Sequence, residues 1–153
     1  RGELDIVLST TTQLPNDHRA QELSRDVLCT VIPEHLQIPR SAREWAELPH
    51  VRFTLHGDDA DPTDLILSQL GLSRHIVLDM HSLATLPDLV HDLGYCVTLP
   101  QTTLLQHFSD ARLFSPPLQL PPILTIMSWS AHAEHDPANQ WLRRTILALT
   151  QSS

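Results

Sequence analysis

At 153 residues, 41 % apolar and 18 % charged, the chain has the size and composition of one α/β or α+β domain that needs no metal or disulfide staple. Its formal net charge of −8, with 10 basic residues against 18 acidic ones, argues against direct nucleic-acid contact by this segment, since DNA affinity comes from Lys and Arg set against phosphates. No apolar run reaches the span of a membrane helix, no signal-peptide pattern opens the chain, and the start at Arg1 in place of Met reads as a cut one.

Leu4-Asp5-Ile6-Val7-Leu8 predicts a strand running into the polar loop Ser9-Thr10-Thr11-Thr12, and Val27 to Ile32 predicts a second strand closed by Pro33. Ser41-Ala42-Arg43-Glu44 is a capping box and predicts a helix from Ser41. Val51 to Leu55 predicts a strand ending at His56-Gly57. Asp61-Pro62 then supplies an N-cap with proline at the first helical position, and Gly71 ends that helix. Ile76 to Leu78 predicts a strand that leads into Met80-His81-Ser82. The helix after it starts near Leu86, because Pro87 cannot sit deep inside one, and stops at Gly94. Tyr95 to Leu99 is a strand closed by Pro100, and Thr102 to Phe108 a short helix. Prolines 116, 117, 121 and 122 frame an irregular connection before the strand Ile123 to Trp129. Asp136-Pro137 caps a last helix whose apolar face carries Trp141, Leu142, Thr145, Ile146 and Leu149. Trp141 is expected to pack under the sheet. Strands separated by helices imply an α/β fold with a largely parallel sheet covered on both faces.

Cys29 and Cys96 each lie in an apolar strand, which suits small core filler in a reducing cytoplasm and gives no CxxC site. His132-Ala-Glu-His135 has HxxH spacing and His56-Gly-Asp58-Asp59-Ala-Asp61 offers oxygens, but a wet polar loop and an acidic helix start explain both without a metal. There is no GxSxG elbow, no phosphate-binding glycine loop and no fixed nucleophile and base, so neither a cofactor nor an enzyme activity is expected.

Polar residues at strand ends are more telling. Open α/β sheets bind ligands at the carboxyl ends of their strands. Ser9, Thr10, Thr11 and Thr12, His56 with Gly57, His81 with Ser82, and Thr125 with Ser128 are the residues so placed. Together they define a polar ring around a small-molecule cleft, with Leu55, Met80, Leu83 and Met127 available for an apolar wall.

The order of segments also resembles a known family. Arg1-Gly-Glu-Leu-Asp-Ile-Val-Leu8 resembles the "GELD" strand of LysR-type effector domains, and Ser41 to Leu48 with His50-Val51 is similar to their helix-to-hinge passage. Gly94-Tyr-Cys-Val-Thr-Leu-Pro100, Pro122-Ile-Leu-Thr-Ile-Met-Ser-Trp129 and Asp136-Pro-Ala-Asn-Gln-Trp-Leu-Arg143 resemble the family's "LP" strand, closing strand and "DPA..WLR" helix. The last two are most similar to the branch sensing aromatic or flavonoid-like inducers.

That resemblance implies two Rossmann-like lobes joined by two crossing strands, as in type II periplasmic binding proteins. Residues 1–49 and 123–153 would form the first lobe and 50–122 the second, with crossings near Val51 and Ile123. It implies an inducer held between the lobes by the four polar places above, and a homodimer or homotetramer in the cytoplasm. DNA would be contacted only through a helix-turn-helix domain that this segment lacks. The first strand–helix–strand of the first lobe is missing too, and Ser82 and Ser128 stand where related sequences carry larger residues. A solute-binding protein of a transport system shares the lobe architecture and is the alternative reading.

Overall fold

Strand pairing sorts the chain into two units, Arg1–Asp26 with Ile123–Ser153 and Val27–Pro122. The computed structural model describes residues 4–10, 13–54, 61–108 and 112–150. In chain order the strands are β1 (Val7–Ser9), β2 (His18–Asp26), β3 (Leu28–Ile32), β4 (Pro49–Phe53), β5 (His75–Met80), β6 (Cys96–Pro100), β7 (Arg112–Phe114) and β8 (Ile123–Ser130). The helices are α1 (Ala42–Ala46), α2 (Pro62–Gln69), α3 (Leu86–His91), α4 (Gln101–His107) and α5 (Pro137–Thr150).

The first unit holds a three-stranded sheet in the order β1-β8-β2, antiparallel throughout. Its central strand is apolar enough to bury Ile126, Met127 and Trp129. β2 is missed in the sequence because His-Arg-Ala-Gln-Glu-Leu-Ser-Arg-Asp has neither apolar alternation nor β-branched residues. It is an edge strand whose register shifts between Glu22 and Ser24, and charged side chains with a bulge are what keep such an edge from pairing further.

Of the apolar face expected for α5, Leu142, Thr145 and Ile146 are half-buried while Trp141 and Leu149 are exposed, and polar side chains contribute to its contacts with this unit. Asn139 is buried and its Nδ2 donates to the Asp5 carbonyl at 3.0 Å. Arg143 lies over the Trp129 ring at 4.1 Å, and its Nη2 donates to the Glu134 carbonyl at 2.8 Å. Trp129 Nε1 donates in turn to a Glu134 carboxylate oxygen at 2.6 Å. Trp141 is 62 % exposed and Leu149 67 %, so the expectation that Trp141 packs under the sheet fails. At 100° per residue the turn that brings Asn139 and Arg143 inward carries Trp141 away from the sheet side.

The second unit holds a five-stranded mixed sheet in the order β5-β4-β6-β3-β7. β4 runs parallel to β5 and β6, whereas β3 is antiparallel to β6 and β7. The expected largely parallel sheet is therefore confined to β5-β4-β6. β3 pairs only within this unit, so residues 27–49 belong to it, where the sequence placed the first division at residue 49. The run from His18 to Ile32 is nearly continuous strand, and its change of sheet at Val27 leaves no proline or glycine signal.

Local chemistry places the helices here. Ser41 Oγ accepts from the Glu44 amide at 3.2 Å, while Glu44 Oε2 accepts from the Arg40 amide at 2.7 Å, one residue before the expected capping-box position. Asp61 caps α2 through the Thr63 amide at 2.8 Å, and Gly71 and Gly94 take φ of +68° and +73° where those helices end. The core is Val31, Val51, Leu86, Val90, Val97 and Leu104, with Cys29 beside them.

A buried polar chain crosses this core. Trp45 Nε1 donates to Thr30 Oγ1 at 3.0 Å, and Thr30 Oγ1 bonds Thr98 Oγ1 at 2.7 Å. His50, with 0 % exposure, donates from Nε2 to the Trp45 carbonyl at 2.7 Å. That leaves Nδ1 to accept from the Cys96 thiol at 3.3 Å. Burial pushes the His50 imidazole down to about 4 and the Cys96 thiol up to about 12, so both groups stay neutral.

Candidate ligand-binding site

Each unit offers its own polar strand ends. In the second, β4 and β5 pair in parallel so that Arg52 lies opposite Asp79 and Phe53 opposite Met80. Arg52 grips Asp79 with Nε and Nη2, and this hydrogen bond holds the Asp79 carboxyl below its usual range. The Thr54 amide donates to the Met80 carbonyl at 3.1 Å, which brings the two carboxyl ends level.

His81 follows directly. Its Nδ1 donates to the Thr54 carbonyl at 2.6 Å and stands 3.1 Å from Thr54 Oγ1. With Nδ1 so committed, the neutral ring presents Nε2 as an acceptor, and the protonated ring presents it as a donor. Ser82 Oγ accepts from the Ala84 amide at 3.4 Å, a local turn contact that still leaves its hydroxyl hydrogen to donate. Both side chains are exposed. Thr54 was not singled out from the sequence, although it is the residue that orients His81. Its only sequence signal is a polar residue at the end of an apolar run. Met80 and Leu83 are half-buried and pack against the core of this unit.

In the first unit the register decides which predicted residues meet. β1 and β8 pair Val7 with Ser128, Leu8 with Met127 and Ser9 with Ile126. Side chains alternate faces along a strand, and paired residues share a face. Ser9, Ile126 and Ser128 therefore lie on one face, with Ser9 diagonal to Ser128. Thr125, Met127 and Trp129 lie on the other, toward Arg143 of α5. The structure thus separates Thr125 and Met127 from Ser128, against the expectation that all three line one cleft. Ser128 is 2 % exposed, Ser9 and Thr125 are half-buried, and Thr10 is exposed. Thr11, Thr12, Leu55, His56 and Gly57 lie outside the described residues.

Among the described residues no group of three or more His, Cys, Asp or Glu side chains is arranged to hold a metal ion. Nor, among them, is any helix long and apolar enough to cross a membrane.

Comparison with known proteins gives concordant results. Residues 1–151 match the family described as LysR substrate binding domain. The chain is 25 % identical over 154 residues to Nodulation protein D 3 of Mesorhizobium japonicum, covering 96 % of this chain and 51 % of that protein. It superposes on the regulatory domain of MexT, a transcriptional activator in Pseudomonas aeruginosa, with a TM-score of 0.78 and 22 % identity, over 96 % of this chain and 75 % of that one. The effector binding domain of QuiR, solved in complex with shikimate, matches at a TM-score of 0.66 and 12 % identity, over 98 % and 73 % of the two chains. These structural likenesses show the fold, α/β of the type II periplasmic-binding-protein kind. The chain spans about half the length of the curated relatives it matches.

Proposed function

The chain belongs to the LysR substrate-binding-domain family, a family of regulatory domains and not of enzymes, and from that membership we propose that it senses a small aromatic inducer for a DNA-binding transcriptional regulator. The observation that carries this reading is the family match across residues 1–151. The resemblance of Pro122–Trp129 and Asp136–Arg143 to the aromatic-sensing branch supports the ligand class. The shikimate complex of QuiR supports a small organic effector for this fold.

The ligand contacts we propose are His81 and Ser82 at the strand ends of the second unit, and Ser9 and Ser128 within the first. The acidic or hydroxyl group of the inducer suits His81, whose ring is already oriented by Thr54. Thr125 is left out, because strand alternation turns it to the α5 side. Sensing follows if the ligand binds one conformation of the domain more tightly than another, since equal affinity for both shifts nothing. The DNA contacts belong to another part of the protein, in keeping with the net charge of −8 on this segment, and the regulator acts as a dimer or tetramer.

The test is calorimetric titration of the protein with a panel of aromatic acids and flavonoids beside non-aromatic sugars and amino acids. The proposal expects saturable 1:1 binding of an aromatic member with a negative heat-capacity change. Binding confined to the sugars or amino acids would refute the ligand class.

A further inference from the structure

The loop between β3 and α1, residues 33–40, is built more firmly than a connection requires. Buried Pro33 and Pro39 frame it, and the Leu36 amide donates to the Pro33 carbonyl at 3.1 Å. Arg112, from β7, reaches under it and donates from Nη1 to the carbonyls of Glu34 at 2.8 Å and Leu36 at 3.0 Å. At its far end the Arg40 amide is held by Glu44 Oε2 at 2.7 Å. Loop and arginine together line a solvent-open depression of about 570 Å³, within the range of small-molecule sites. All of its lining belongs to the second unit, and none of it is a residue of the inducer site proposed above.

The lining has two chemistries. Leu36, Ile38 and Pro39 give it an apolar wall, and Ile38 is 46 % exposed although it is a large aliphatic side chain. Arg40, Arg112 and His35 give it donors, against the single carboxylate of Glu34. In a chain of net charge −8, two arginines against one carboxylate are a local excess of positive charge. The two carbonyl contacts fix the Arg112 guanidinium at the cavity wall, so its charge needs no reordering to meet an anion. A planar guanidinium suits a carboxylate, and the aliphatic wall suits a short apolar body beside it.

We propose that this loop cavity is a second ligand site, which takes a small apolar carboxylate. Arg40 supplies the principal charge, Ile38 the apolar contact and Arg112 the fixed frame.

The experiment is an amide-resolved NMR titration of the whole chain with hexanoate, run beside hexanol and inorganic phosphate. Saturable shifts are expected at Glu34 to Ile38, Arg40 and Arg112, with hexanol at least tenfold weaker and phosphate failing to saturate. Arg40→Gln should weaken hexanoate at least fivefold and Ile38→Ser at least threefold. Arg40 is exposed, so the dispersion of the Arg40→Gln spectrum should match that of the parent. Three results overturn the proposal. They are Arg40→Gln titrating like the parent; phosphate shifting the same amides as strongly, which is general anion attraction; and hexanoate moving only the amides around Ser128 and His81. The last would sink this site while supporting the inducer site.

Discussion

Lowering the pH from 7.5 to 5 should destabilise the protein by about 2 kcal/mol through the His50 imidazole alone. His50 is wholly buried, with Nε2 donating to the Trp45 carbonyl and Nδ1 accepting from the Cys96 thiol. An added proton would have to displace that thiol in a site with no solvent. Burial accordingly lowers its folded-state value from 6.5 to about 4. The unfolded chain therefore binds a proton first, and stability is complete above pH 6.5. It falls by about 1.4 kcal/mol per unit as the pH drops toward 4 and then levels off. Asp79 and Glu134 are depressed by Arg52 and by the Trp129 indole respectively, and their stabilisation is lost as the pH falls from 3.8 and 4.5, below the pH 5 of the assay. The assay is urea unfolding of the parent and of His50→Gln at pH 7.5 and 5, with an NMR titration of the His50 ring. Gln keeps an N–H donor for the Trp45 carbonyl but has nothing to protonate. The parent should lose about 2 kcal/mol more than the variant between the two pH values. Equal losses, or a ring that titrates near 6.5 in the folded protein, would refute the argument.

Arg74, whose side chain is 2 % exposed, clamps both Asp61 and Asp64 at the start of α2. Arg74→Ala should cost about 3 kcal/mol in urea unfolding, the low end for a broken buried pair because the two carboxylates keep some contact with water. Trp141→Ala should change stability by less than about 0.5 kcal/mol, since the ring is exposed, whereas Trp45→Ala should cost about 3–5 kcal/mol. The two can be compared by thermal unfolding, and a large effect at Trp141 would show that α5 buries a different face. Gly94→Ala should cost about 1–2 kcal/mol for a left-handed φ alone. Its Cβ would also stand 3.0 Å from His35 Cε1, so the amide of His35 should shift in the NMR spectrum of the variant.

What the sequence disclosed was carried by short-range chemistry. Ser41 with Glu44, Asp61 with Pro62, and the glycines at 71 and 94 mark helix ends within four residues, and each sits at an end in the structure. Strands with dense apolar runs, such as Cys96-Val-Thr-Leu-Pro100, were equally legible. Features that depend on distant residues were not. β2 owes its existence to pairing with β8, a hundred residues later in the chain, and its own side chains are polar. The chain Thr98–Thr30–Trp45–His50–Cys96 joins residues from three strands and a helix, with no spacing that announces it. Trp141 misled because an aromatic at helical spacing suggests burial, yet the side of α5 that carries the Asn139 and Arg143 contacts lies away from it. The candidate site was legible as a set of strand ends. Which way each side chain faces was not, because Thr125 and Ser128 are an odd number of residues apart and strand alternation separates them.

The most direct test of the central claim compares inducer affinity in the parent, His81→Ala and Ser128→Ala, by calorimetry with an aromatic acid that binds the parent. Neither substitution should unfold the protein, because His81 is exposed and Ser128→Ala removes one oxygen. Each variant should bind more weakly if its side chain contacts the ligand. The loss should be about 1.5–3 kcal/mol for His81→Ala, where a charge-assisted bond is removed, and about 1 kcal/mol for Ser128→Ala. Undiminished affinity in both variants would contradict the account and place the ligand elsewhere.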